Sequence, residues 1–132
     1  MTGFDTNVLV RYLVRDDADQ AAVVSRLITD AVENGVSVYL NKVVVCETVW
    51  VLESAYEYPK EAIADVLEKL LLTQQFEFEE RDHVWRSLRR YREGEADLAD
   101  YLIGESNHAS GCDETATFDR ALRGEVGFTV LS

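Results

Sequence analysis

With 132 residues, 47 % of them hydrophobic, the chain is long enough to bury one core and too short for two, and it contains no apolar run of the ~18 residues a membrane span needs. The formal net charge of -12 argues on its face against a nucleic-acid binder, because phosphates are met by Lys and Arg. The start, Met-Thr-Gly-Phe-Asp, has no basic segment followed by an apolar stretch, so a soluble, cytoplasmic protein is expected, and Cys46 and Cys112 read as reduced, packed thiols.

Taken in chain order, Gly3-Phe4-Asp5 is expected to begin a short buried strand. Thr6 can cap a helix through Val8, Leu9, Tyr12 and Leu13. Asp16-Asp17-Ala18-Asp19 opens a second helix, acidic where the helix dipole favours anions, and Gly35 ends it. Val36 to Leu40 alternates as a strand does. Asn41 caps a helix from about Lys42 to Ala55, with Val44, Val45, Thr48, Val51, Leu52 and Ala55 available for packing. Pro59 precedes a helix whose stripe is Ile63, Val66, Leu67, Leu70 and Leu71, giving an antiparallel pair with its predecessor. Phe76-Glu77-Phe78 reads as a strand, and Asp82 to Tyr91 as a helix with Val84, Trp85 and Leu88 inward. Gly94 punctuates, Asp97 starts a helix to about Ser110, Glu114 to Thr117 is a strand, Phe118 to Leu122 a short helix and Phe128 to Leu131 a last strand. This alternation predicts an α/β sandwich with a mostly parallel sheet and a ligand crevice beyond the carboxyl ends of its strands.

Most of the 25 acidic residues read as solvated surface, but a few are placed differently. Asp5 and Asp119 each follow a strand at a junction, where helix capping is the plain alternative. Glu47 stands inside the apolar run Val43 to Leu52, where a buried carboxylate is costly without a charge partner. Asp97 and Asp100 share a helix face at ~5 to 6 Å between Cβ atoms, so they repel unless a cation lies between them. Hard oxygen donors suit Mg²⁺ or Mn²⁺ rather than zinc, and neither His83 nor His108 has a liganding partner in the sequence pattern. A carboxylate cluster with such cations can hydrolyse a phosphodiester with no Ser, Cys or His nucleophile.

The segments Asp5-Thr6-Asn7-Val8-Leu9-Val10-Arg11-Tyr12-Leu13, Glu47 with Trp50-Val51-Leu52-Glu53, Ala96 to Ile103 and Thr117-Phe118-Asp119-Arg120 together resemble the ordered motifs of PIN-domain proteins, above all the VapC toxins. The resemblance runs through almost the whole chain. It implies a single PIN domain over residues 1–132, built as a three-layer sandwich with a mostly parallel central sheet flanked by helices. It also implies an Mg²⁺- or Mn²⁺-dependent endoribonuclease, a homodimer, and a small cognate antitoxin as partner. By position, Asp5, Glu47, Asp100 and Asp119 match the four metal-binding catalytic acids, and Asp97 an additional acid. Thr117 matches a hydroxyl near the site, and Thr6 and Asn7 would orient Asp5. Leu98 and Tyr101 stand where relatives often carry an aromatic and a small residue, which alters packing more than chemistry.

Five of the thirteen basic residues lie between Arg81 and Arg92. Arg86, Arg89 and Arg90 are candidates for guiding RNA, the alternative being a solvated helix face with Trp85 in the core. Rival functions are a catalytically silent PIN-fold interaction module and a PIN nuclease acting in RNA processing or on DNA. A phospho-receiver domain would want paired acids near the first strand and a late lysine, and neither is present.

Overall fold

The computed structural model describes residues 1–132, which divide into two compact units, Met1–Arg81 and Asp82–Ser132. In the first unit, β1 (Thr2–Gly3) leads to α1 (Thr6–Val14) and α2 (Ala18–Glu33). Then come β2 (Val38–Leu40), α3 (Lys42–Ser54), α4 (Lys60–Leu72) and β3 (Phe76–Phe78). The strands form a parallel sheet in the order β1-β2-β3, with Val38 opposite Phe76 and Leu40 opposite Phe78. These four side chains are buried while Glu77 is exposed, so the period-two pattern selects the sheet's covered face. Leu9, Leu52, Ile63 and Leu71 complete the core, with α1 packed on α2 and α3, and α3 on α4.

Local signals set most boundaries. Asp17 caps α2 by accepting from the Gln20 N–H, and Asn41 caps α3 by accepting from the Val44 N–H at 2.9 Å. Gly35, at φ 64°, takes the left-handed turn after α2 that a Cβ would strain. The first strand differs from expectation. Thr2 and Gly3 form an exposed edge strand and only Phe4 is buried, because β1 has a neighbour on one side alone. In α3, Val49 is buried in place of Ala55, which is exposed.

The second unit contains most of α5 (Arg81–Glu93), then α6 (Leu98–Ala109), β4 (Thr115–Thr117), a 3-10 turn (Arg120–Leu122) and β5 (Phe128–Val130). β4 and β5 pair in parallel, Thr115 opposite Phe128. Thus every strand pair in the protein is parallel, with the pairing divided between two sheets. Val84, Leu88, Leu98, Tyr101, Leu102 and Leu122 make this unit's core. Trp85, expected inside, is only half-buried, because His83, Val84, Ser87, Leu88 and Tyr91 define the covered face of α5. No helix of the protein is long and apolar enough to cross a membrane.

Candidate active site

In the first unit the two expected acids are tied to the first turn of α1. Asp5 is the N-cap of that helix, its Oδ1 accepting from the Val8 N–H at 3.0 Å. Its extended backbone turns the carboxylate toward the exposed helix N-terminus, where the aligned peptide dipoles favour negative charge. Thr6, expected to orient Asp5, donates instead from its hydroxyl to Glu47 Oε1 at 2.8 Å, so it joins α1 to α3. Asn7 lies on the rim of a groove of about 390 Å³ between α1 and α2, beside Asp5 and Arg11.

Glu47 is exposed, which overturns the expectation of a costly buried carboxylate. Its helix is apolar on every side, and the packed face falls on Val44, Val45, Thr48, Val49 and Leu52. Val43 and Trp50, one turn before and after Glu47, are 66 % and 68 % exposed. Glu53 is solvated, as expected.

In the second unit Asp100 is paired on one side with Asp97 and on the other with Asp119. Asp97 is the N-cap of α6, and its backbone N–H donates to Asp100 Oδ2 at 3.2 Å. Asp119 caps the 3-10 turn, its Oδ1 accepting from the Ala121 N–H at 2.9 Å while its own N–H donates to Thr117 Oγ1 at 3.0 Å. Thr117 therefore fixes the backbone that presents Asp119. Burial pushes the Asp100 carboxyl up from its usual range, against the bond from Asp97, and the charges of Asp119 and Asp97 and a side-chain hydrogen bond with Asp119 push the same way. Negative charge is crowded here.

As donor chemistry, this all-carboxylate set fits a hard divalent cation, which would relieve that crowding. In the arrangement described, no three of the Asp, Glu, His and Cys side chains close around one point as a ligand set. The acids are grouped in twos: Glu47 held through Thr6 next to Asp5, Asp97 with Asp100, and Asp100 with Asp119.

The arginines of α5 are differently engaged. Arg86 pairs with Glu105 at 2.9 Å, and Arg90 with Glu125 at 3.3 Å, while Arg89 is exposed. A second cavity, about 400 Å³ in the second unit, is lined by Arg86, Arg90, Glu105, His108 and Glu114 and by none of the expected acids. Arg90, a candidate from sequence either for guiding RNA or for a solvated helix face, is paired with Glu125 and lies over the Tyr101 ring, and the sequence signal for that contact is the large Tyr101 where relatives often carry a small residue.

The family model for the PIN domain matches residues 4–124, and so takes in all these acids. A VapC ribonuclease of Aquifex aeolicus (strain VF5) is 22 % identical over 128 residues, covering 97 % of this chain and 93 % of the relative. With its parallel strands, flanking helices and acids at strand-to-helix junctions, the chain belongs to the PIN-domain family.

Proposed function

We propose that this chain is a divalent-metal-dependent endoribonuclease, the toxin of a toxin–antitoxin pair, formed as one PIN domain over residues 1–132. The observation that carries the reading is the placement of Asp100 beside both Asp97 and Asp119, with its carboxyl driven up by burial and by these acidic neighbours. A site that resists its own charge is suited to a cation. The nearly full-length similarity to a VapC ribonuclease supports RNA as the substrate.

Asp5, Glu47, Asp100 and Asp119 would hold Mg²⁺ or Mn²⁺, whose chemistry when bound is to polarise the phosphodiester and acidify a water. The chain's own residues prepare for this. The Asp97 N–H fixes one oxygen of Asp100, the Thr117 hydroxyl fixes the backbone of Asp119, and the Thr6 hydroxyl fixes one oxygen of Glu47. A net charge of -12 suits a basic partner, such as a small antitoxin presenting Arg or Lys to these carboxylates; a homodimer and a cytoplasmic setting complete the proposal.

The test is cleavage of RNA with and without Mg²⁺ or Mn²⁺, with single-stranded DNA as a parallel substrate. Asp5→Ala and Asp100→Asn are expected to lose metal-dependent RNA cleavage while remaining folded. Undiminished cleavage by either variant would overturn the site, and cleavage of DNA alone would overturn the substrate. Mn²⁺ calorimetry separates this reading from a silent interaction module, which binds no metal.

A further inference from the structure

Tyr101 immediately follows Asp100 and is 0 % exposed. Its hydroxyl accepts from the backbone N–H of Ala96, the residue before Asp97, at 3.4 Å. A Cβ on Gly94 would come within 2.0 Å of that hydroxyl, so the α5–α6 turn passes directly over it and a side chain there would have to displace the tyrosine. The ring meets Phe128 of β5 edge-on, with centroids 6.5 Å apart and planes at 83°. Gly104, one turn along α6, brings the helix so near the Phe128 ring that a Cβ would lie 2.5 Å from it. Tyr101 is thus held at its hydroxyl, its edge and its helix.

Arg90 closes the assembly. Its guanidinium lies 5.2 Å from the Tyr101 ring centroid and 5.4 Å from that of Phe128. It donates to the Val126 carbonyl at 2.7 Å and pairs with Glu125, leaving its side chain 24 % exposed. With its plane against two rings and its Nη2 engaged by Glu125 and the Val126 carbonyl, the guanidinium is held in place by the fold.

We infer that Arg90 and Tyr101 form a lock that positions Asp97 and Asp100, and that Arg90 serves the reaction through this lock instead of by touching RNA. The inference rests on the nuclease reading above. The hydroxyl holds the residue before Asp97 and the ring anchors the residue after Asp100, so the lock grips the first turn of α6 from both ends. Groups that orient metal-binding side chains typically matter 10- to 100-fold to affinity or rate.

The experiment compares the full chain with Arg90→Gln, Arg90→Lys, Tyr101→Phe and the Arg90→Gln/Tyr101→Phe double variant. Mn²⁺ affinity is read by calorimetry, kcat and KM by RNA cleavage, and RNA binding as a function of salt, all normalised to folded protein by near-ultraviolet dichroism. For Arg90→Gln, Mn²⁺ affinity and kcat are expected to fall ~10-fold, with KM and the salt slope of RNA binding unchanged. Lysine, which keeps the charge but not the planar stack, restores only part of this loss. Tyr101→Phe, the milder change, lowers both quantities in the same direction, and the double variant loses less than the two single losses combined. A raised KM with a salt slope smaller by about 0.7, fully rescued by lysine, would make Arg90 an RNA contact and overturn the lock. Lower thermal stability with Mn²⁺ affinity and kcat unchanged would overturn it too, leaving a scaffold contact. A wild-type chain that neither binds Mn²⁺ nor cuts RNA overturns the nuclease reading itself, and the lock with it.

Discussion

The acids of the two units live under different electrostatics. In Met1–Arg81, Asp5 and Glu47 are exposed, and each accepts from one neutral donor, the Val8 N–H and the Thr6 hydroxyl. In Asp82–Ser132, Asp119 and Asp97 both act on the half-buried Asp100, which burial first and their charges next make resist ionisation. Residues of one chemical class thus contribute oppositely to the metal-free fold: Asp5 stabilises it as a cap, whereas the charge on Asp100 opposes it.

Breaking either set is expected to have its largest effect on cleavage. Asp5→Ala and Asp100→Asn should each lower metal-dependent RNA cleavage by roughly 100-fold or more, beyond the loss expected for positioning residues. The contrast sharpens in thermal unfolding with chelator present. Asp5→Ala should cost about 1 kcal/mol through the lost cap, which Asp5→Asn retains. Asp100→Asn should instead raise the unfolding temperature, because it removes the crowded charge while keeping an oxygen for the Asp97 N–H. Equal signs for the two would mean that both sets of acids act alike on the metal-free fold.

Changes of the size of the lost Asp5 cap are expected away from the acids, and alike in both units. Thr48 in α3 and Ser87 in α5 bury hydroxyls with no hydrogen-bond partner. Thr48→Val and Ser87→Ala should each stabilise by about 1 kcal/mol in denaturant titrations.

The pH dependence of the metal-free protein should separate the units again. Asp100 is raised above the usual 3.8, so the stability its charge removes returns as pH falls through its folded value toward 3.8. Asp16 of the first unit is held below 3.8 by the Tyr56 hydroxyl first and also by Arg11, so its contribution is present above 3.8 and lost as pH falls through its lower folded value. Acidification should therefore stabilise slightly before it destabilises, with Asp100→Asn weakening the first limb and Asp16→Asn the second.

What could be read directly from the chain was what neighbours in sequence decide. Asn41, Asp17 and Asp97 start helices because a short polar side chain beside an apolar run has few other uses, and Phe76-Glu77-Phe78 forms a strand because its alternation suits one buried face. The motif acids were equally visible, since order and spacing survive without knowledge of packing. Glu47 shows where that ends. Its helix is apolar all round, so no periodicity tells which side faces out, and only packing against α1 and α4 leaves Val43, Glu47 and Trp50 in solvent.

Arg90 makes the same point with charge. Among the arginines of α5 it looked like a member of a basic stripe, and Glu125, Val126, Tyr101 and Phe128, all distant along the chain, engage it in the folded unit. By itself the sequence determined the family, the parallel α/β class, most helix starts and the identity of the candidate acids, because propensity, capping and motif spacing act over a few residues. Tertiary structure alone decided which acids crowd, which stand in solvent and which arginine is spent on the fold, because desolvation and Coulomb energy depend on distances in space that the order of residues does not contain.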